Sequence, residues 1–252
     1  MRLKAFLGFL ILFAVYHTSE IVGNNPVFIL GSFILFFVVA QIVAKWLGER
    51  GITVFGMQKH KNAPINLLIG YLLGVLFYGG SFLVSVIQGK ITFEGTFSIY
   101  QMILPLLGII LITFLSSASE DVLTRGYVFK YLPQKLTPEA LILISSFIYV
   151  FNHIWRIDEG YTQWIMLLLM GLTYAIPFAA TGSLWFTIGC HWGWNTVSLF
   201  KSQIGNMSDL KIIDHTTDWT YIYTMLIFLL FVMLYPKLFL KKATQVNNHL
   251  SV

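Results

Sequence analysis

The sequence predicts an all-α, polytopic membrane helix bundle of about eight transmembrane helices, and three observations carry that expectation. Hydrophobic residues make up 57% of the 252-residue chain and charged residues only 11%, where ordinary soluble domains carry about 25% charged residues. Mean hydropathy is +0.75. The apolar residues are gathered in long runs, many of them long enough to cross a bilayer, so the chain is built for hydrocarbon and a soluble fold is excluded. The formal net charge of +5 contains no basic run and no basic helix stripe, so no nucleic-acid partner is expected and the implied partner is the lipid bilayer. The single Cys190 excludes an intrachain disulfide framework and a cysteine-rich metal site, and reads as a small packed apolar residue.

Taken in order, Met1-Arg2-Leu3-Lys4 opens an apolar run to Tyr16 that resembles a secretory signal. The following Tyr16 to Glu20 stretch offers no small-residue cleavage site, so the run reads as a retained first span. Further spans are expected over 27–46, 64–87, 100–115 with a helical continuation through 119–132, 139–155, 163–180, 184–200 and 219–239. Most can cross roughly 30 Å of hydrocarbon at 1.5 Å per residue. The short Gly182-Ser183 break makes the sixth and seventh spans an antiparallel pair. No soluble domain or low-complexity tract interrupts them, so residues 1–252 read as a single transmembrane domain. Arg2, Lys4, Lys45, Arg50, Lys59, Lys61, Lys130, Lys135, Lys237, Lys241 and Lys242 fall on one side, whereas Lys90, Arg156, Lys201 and Lys211 fall on the other. The bias places both termini in the cytoplasm.

Against this background the stretch 119–129 is out of place, because it sets Glu120, Asp121 and Arg125 into an apolar helix. Charged groups at membrane depth cost at least about 2.5 kcal/mol each, so they persist when paired or used. Helical spacing puts Asp121 and Arg125 on one face as a structural pair, with the acid N-terminal, and leaves Glu120 about 100° away without a partner. The turn around Pro133 to Pro138 folds the next span back on this helix. Glu120 lies about 15 residues before its middle and His153 about 18 after, so they meet at similar depth. His191 and Asn195 share a face of the seventh span at i and i+4. One carboxylate, two imidazoles and an amide are what peptide hydrolysis needs: a base for water, a group to hold that water, and donors for the oxyanion. Glu120, His153 and His191 would equally make a three-ligand zinc site, and no His-Glu-x-x-His helix decides between the two.

The order Glu120-Asp121-x-x-x-Arg125, then an aromatic four residues before His153, then His191-x-x-x-Asn195 resembles the CAAX-protease and bacteriocin-processing family (CPBP, also called Abi) of intramembrane endopeptidases. The family pattern is Glu-Glu-x-x-x-Arg, Phe-x-x-x-His and His-x-x-x-Asn. Here Asp121 stands at the second acid and Tyr149 at the aromatic. The resemblance covers a core of about 100–200. It implies an eight-helix bundle, a CAAX prenyl protease-like hydrolase of the glutamic peptidase kind, and a membrane-associated peptide or protein substrate. Glu120 would be the base on water, His153 would position that water, and His191 with Asn195 would form the oxyanion hole. Asp121 and Arg125 would support the site, and no cofactor would be required, with zinc as the alternative. The expected location is a bacterial cytoplasmic membrane. Two other classes fit the same residues: a catalytically silent scaffold or bacteriocin-immunity protein of this family, and a proton-coupled transporter whose buried charges carry protons.

Overall fold

The computed structural model describes residues 3–21, 25–96, 99–132, 135–207 and 211–238. Arg2, Pro133, Phe239, Lys241 and Lys242, on which parts of the sequence reading rest, lie outside them. The described chain is a helix bundle. Its elements are α1 (Leu3–Tyr16), α2 (Thr18–Ile21), α3 (Pro26–Trp46), α4 (Ala63–Ile87), β1 (Ile91–Glu94), α5 (Ile99–Asp121), a π-helical segment (Val122–Tyr127), α6 (Val128–Tyr131), α7 (Pro138–Phe151), α8 (Tyr161–Thr181), α9 (Trp185–Met207), β2 (Lys211–Asp214) and α10 (Asp218–Leu238).

Among the described residues, five stretches are long and apolar enough to cross a membrane: Leu3–Ile21, Pro26–Trp46, Ala63–Ile87, Tyr100–Tyr131 and Tyr161–Thr181. Their outer faces carry exposed large apolar side chains, such as Leu68, Leu72 and Leu76 on α4 and Leu104, Leu107 and Leu111 on α5. A continuous apolar exterior of this kind is solvated by lipid, and the protein is an integral membrane protein. The other three expected spans are helices, but they fall short of the same criterion for separate reasons. α7 has only 14 residues, about 21 Å at 1.5 Å per residue. α10 counts as a shorter apolar helix over its fully described residues Asp218–Leu234, and α9 carries the polar His191, Asn195 and Thr196.

Three further details differ from the sequence reading. The span expected over 139–155 ends as a helix at Phe151, and a 3-10 turn (Ile154–Glu159) follows, so His153 sits just past the helix end. The chain is not purely helical: β1 and β2 pair antiparallel, Ile91 opposite Asp214, and tie two connections together at one end of the bundle. The continuation after Asp121 is a π-helix rather than an α-helix. Its wider turn is accommodated by side chains: the Thr124 hydroxyl donates to the Glu120 carbonyl (2.7 Å), and the Ser145 hydroxyl donates to the Thr124 carbonyl (2.8 Å). π-Helical turns inside α-helices are frequent at functional sites.

α9 is held by α4 through glycine. Gly70 and Gly74 on α4 and Gly189 and Gly193 on α9 are both spaced four apart, and a Cβ at any of the four would collide with backbone of the facing helix. This is the close approach that two small-xxx-small faces allow in a membrane, where dispersion contacts and not the hydrophobic effect drive helix association. Its consequence is positional, because His191 lies between the two glycines of α9 and inherits their fixed register. Cys190, in the same stretch, is buried and unpaired. Gly126 plays a similar part in the π segment, where an added Cβ would strike the carbonyl oxygen of Phe55.

Candidate active site

Three elements converge on Glu120, which is buried at the end of α5. His153 approaches from the end of α7, with Nε2 3.6 Å from Glu120 Oε1, and His191 approaches from α9, with Nε2 3.6 Å from Glu120 Oε2. The tautomer of His153 is set by geometry: its Nδ1 lies 2.9 Å from the Tyr149 carbonyl oxygen, which can only accept. Nδ1 therefore carries the proton, and in the neutral ring Nε2 presents a lone pair toward Glu120. Tyr149 also lies against the His153 ring, at 4.9 Å between centroids.

His191 is held from behind. Its Nδ1 is 3.1 Å from Asp121 Oδ1, and Tyr174 stacks on its ring at 4.7 Å and 23°. The same Asp121 oxygen accepts from Arg125 Nη1 at 2.5 Å. Asp121 and Arg125 are both fully buried, at 0% exposure, and the guanidinium is sandwiched between the rings of Tyr149 (4.6 Å) and Tyr174 (5.3 Å). Arg125, Asp121 and His191 thus form one chain of contacts ending at the His191 imidazole, the arrangement in which a carboxylate fixes ring orientation. Asn195, one turn beyond His191, donates from Nδ2 to Ser117 Oγ (3.1 Å).

Glu120, His153, His191 and Asn195 all line one cavity of about 310 Å³, together with Tyr16, Ser116 and Tyr149. Two of its polar groups were missed by the sequence reading. Asn152 donates from Nδ2 to Glu120 Oε1 at 2.8 Å and is buried. Its position beside His153 was the available signal. Tyr16, from α1, lines the cavity beside Glu120, and nothing in the sequence marks which distant helix supplies such a group. Among the described residues, no three His, Cys, Asp or Glu side chains stand in a metal-holding group.

Residues 102–197 match the family model described as type II CAAX prenyl endopeptidase, Rce1-like. The segment is Rce1-like. It contains Glu120, Asp121, Arg125, His153, His191 and Asn195, so the comparison covers every residue on which the resemblance was read. No curated protein and no solved structure matches the chain. The Rce1-like segment supports an intramembrane endopeptidase of the CAAX-protease type in general. Tyr16 and the α4 glycines that position α9 lie outside it.

Proposed function

We propose that the protein is an intramembrane endopeptidase that hydrolyses a peptide bond with water activated by Glu120. The observation that carries this reading is one buried carboxylate whose two oxygens each face a different imidazole at 3.6 Å on the wall of a polar-lined cavity. At that separation each imidazole is beyond a direct hydrogen bond, and a single water is in reach of carboxylate and imidazole together. Glu120 takes one proton of the water while His153 Nε2 accepts a hydrogen bond from the remaining O–H, which aims the oxygen at the substrate carbonyl. As the C–O bond forms, the oxyanion is met by His191, protonated at Nε2, and by the second amide hydrogen of Asn195. Glu120 then returns its proton to the leaving nitrogen as the C–N bond breaks. Asp121 holds the His191 ring in place through Nδ1, and Arg125 in turn neutralises Asp121. The substrate is a membrane-associated peptide or protein. Comparative peptidomics of membranes carrying wild type or Glu120→Ala tests this reading: identical peptide sets would overturn it.

Asn152 acts as a positioning residue in this scheme. It holds Oε1 while the carboxylate exchanges a proton. Hydrogen bonds to charged groups contribute about 1.5–3 kcal/mol, so Asn152→Ala is expected to lower kcat about 10- to 100-fold with KM little changed. An unchanged kcat would remove Asn152 from the site.

No metal is required in the proposed mechanism. Activity is expected to survive strong chelators after purification, and metal analysis to return far less than one zinc per chain. Zinc near one per chain, with activity lost on stripping and restored by the metal, would instead assign Glu120, His153 and His191 as ligands.

A further inference from the structure

The two ends of the bundle differ in charge and in access to Glu120, and together these differences give the site a side. One end carries Lys4 at the start of α1, Lys45, Arg50, Lys59 and Lys61 around the α3–α4 connection, Lys130 in α6, and Lys135 between α6 and α7. That these share one end is shown by direct contacts: Lys130 Nζ to Glu49 Oε1 at 3.0 Å, His60 Nε2 to Ser183 Oγ at 3.0 Å, and Trp185 Nε1 to the Gln58 carbonyl at 2.9 Å. The opposite end carries four described basic residues, Lys90, Arg156, Lys201 and Lys211. Two of them are neutralised locally, Arg156 by Glu159 and Lys201 by Asp214. It also carries Glu20, Glu94, Asp158 and Asp218. Its contacts are equally direct: β1 pairs with β2, Trp155 Nε1 donates to His17 Nδ1 (3.3 Å), and Thr162 Oγ1 donates to Asp218 Oδ2 (2.6 Å).

The cavity that holds Glu120 is bounded by Arg156, Thr162, Gln163, Asp218 and Tyr221, which all belong to this second, acid-rich end. It reaches inward because α7 stops at Phe151, about 21 Å from its start at the basic end, and leaves a recess where a full span would have continued. Toward the basic end the way is filled. Arg125, Tyr149 and Tyr174 pack directly behind the site, and Phe55, Tyr127, Phe178 and Leu184 form a buried core beyond them.

Lys and Arg in short loops are retained in the cytoplasm. We infer that the site opens on the face of the membrane opposite the cytoplasm, so that its substrate is an exported peptide, or a juxtamembrane segment of a translocated protein, presented on that face. The substrate half of this inference rests on the peptidase reading. The orientation half rests only on charge and the shape of the cavity.

The test uses single cysteines on a Cys190→Ala parent, since Cys190 is the one cysteine of the chain. Glu94→Cys marks the acid-rich end, Gln163→Cys the cavity mouth, and Lys59→Cys the exposed loop at the basic end. A membrane-impermeant maleimide applied to intact cells is expected to label Glu94→Cys and Gln163→Cys, and to label Lys59→Cys only after permeabilisation. The reverse pattern, or Gln163→Cys labelling together with Lys59→Cys, overturns the inference whether or not the protein cleaves peptides. On cells that show peptide cleavage, the same treatment of Gln163→Cys is expected to abolish it while the Lys59→Cys cells lose none. Labelling in the expected pattern with cleavage untouched would overturn the proposed substrate route and leave the peptidase reading standing.

Discussion

Glu120→Gln is expected to abolish peptide cleavage while the protein remains folded. Gln is close to Glu in volume, and its carbonyl oxygen can still accept from Asn152 Nδ2, which now reaches Glu120 Oε1 at 2.8 Å. The substitution therefore leaves no buried donor stranded and no cavity behind. What it removes is the proton acceptor between His153 and His191, each 3.6 Å from a different carboxylate oxygen. Positioned general acid–base catalysis contributes about 10²- to 10⁴-fold, and here one group serves first as base and then as acid, so the loss belongs at the upper end of that range. Turnover is measured on a cleaved peptide in detergent or in proteoliposomes, with thermal melting of the same preparation as the folding control. A Glu120→Gln protein that melts like wild type and still turns over would remove Glu120 as the base. A cellular phenotype that survives Glu120→Gln would favour a silent scaffold, whereas solute or proton flux without any cleavage would favour the transporter.

How far the site can be read from sequence depends on what makes each residue conspicuous. Glu120, His153 and His191 stand out because ionisable side chains are costly within apolar runs, and counting outward from one turn is enough to bring Glu120 and His153 to the same depth. That arithmetic survives the early end of α7, since His153 follows the last helical turn directly. The exchange of α-helix for π-helix after Asp121 was not legible. It depends on the Ser145 hydroxyl of another helix donating to the Thr124 carbonyl and on Gly126 admitting the Phe55 backbone, and neither is a property of the local sequence. The two Gly-x-x-x-Gly spacings on α4 and α9 were present to be read, but only their mutual collision geometry shows that they face each other. Tyr16 illustrates the limit most sharply: a tyrosine at the end of an apolar N-terminal helix looks like an interfacial aromatic until the bundle places it in the cavity.

The Asp121–Arg125 pair is expected to show a double-mutant cycle in which stability and activity part company. Both side chains are fully buried, and they meet at 2.5 Å. Removing one partner leaves the other charge in low dielectric, a loss of about 3–5 kcal/mol by analogy with buried pairs in soluble proteins. Asp121→Asn and Arg125→Met should each lower the melting temperature in detergent. The double change should recover part of that loss, because no unpaired charge remains and Met can fill the space between Tyr149 and Tyr174. Activity should not follow. Asp121 also faces His191 Nδ1 at 3.1 Å, and an asparagine there keeps an acceptor for the ring N–H but not the negative charge of the carboxylate behind the ring that is proposed to meet the oxyanion. The double variant is therefore expected to be more stable than either single variant and still deficient in turnover, with kcat reduced more than KM is raised. Strictly additive losses of stability would mean that the two residues are not coupled, and recovery of activity along with stability would mean that Asp121 serves the fold alone.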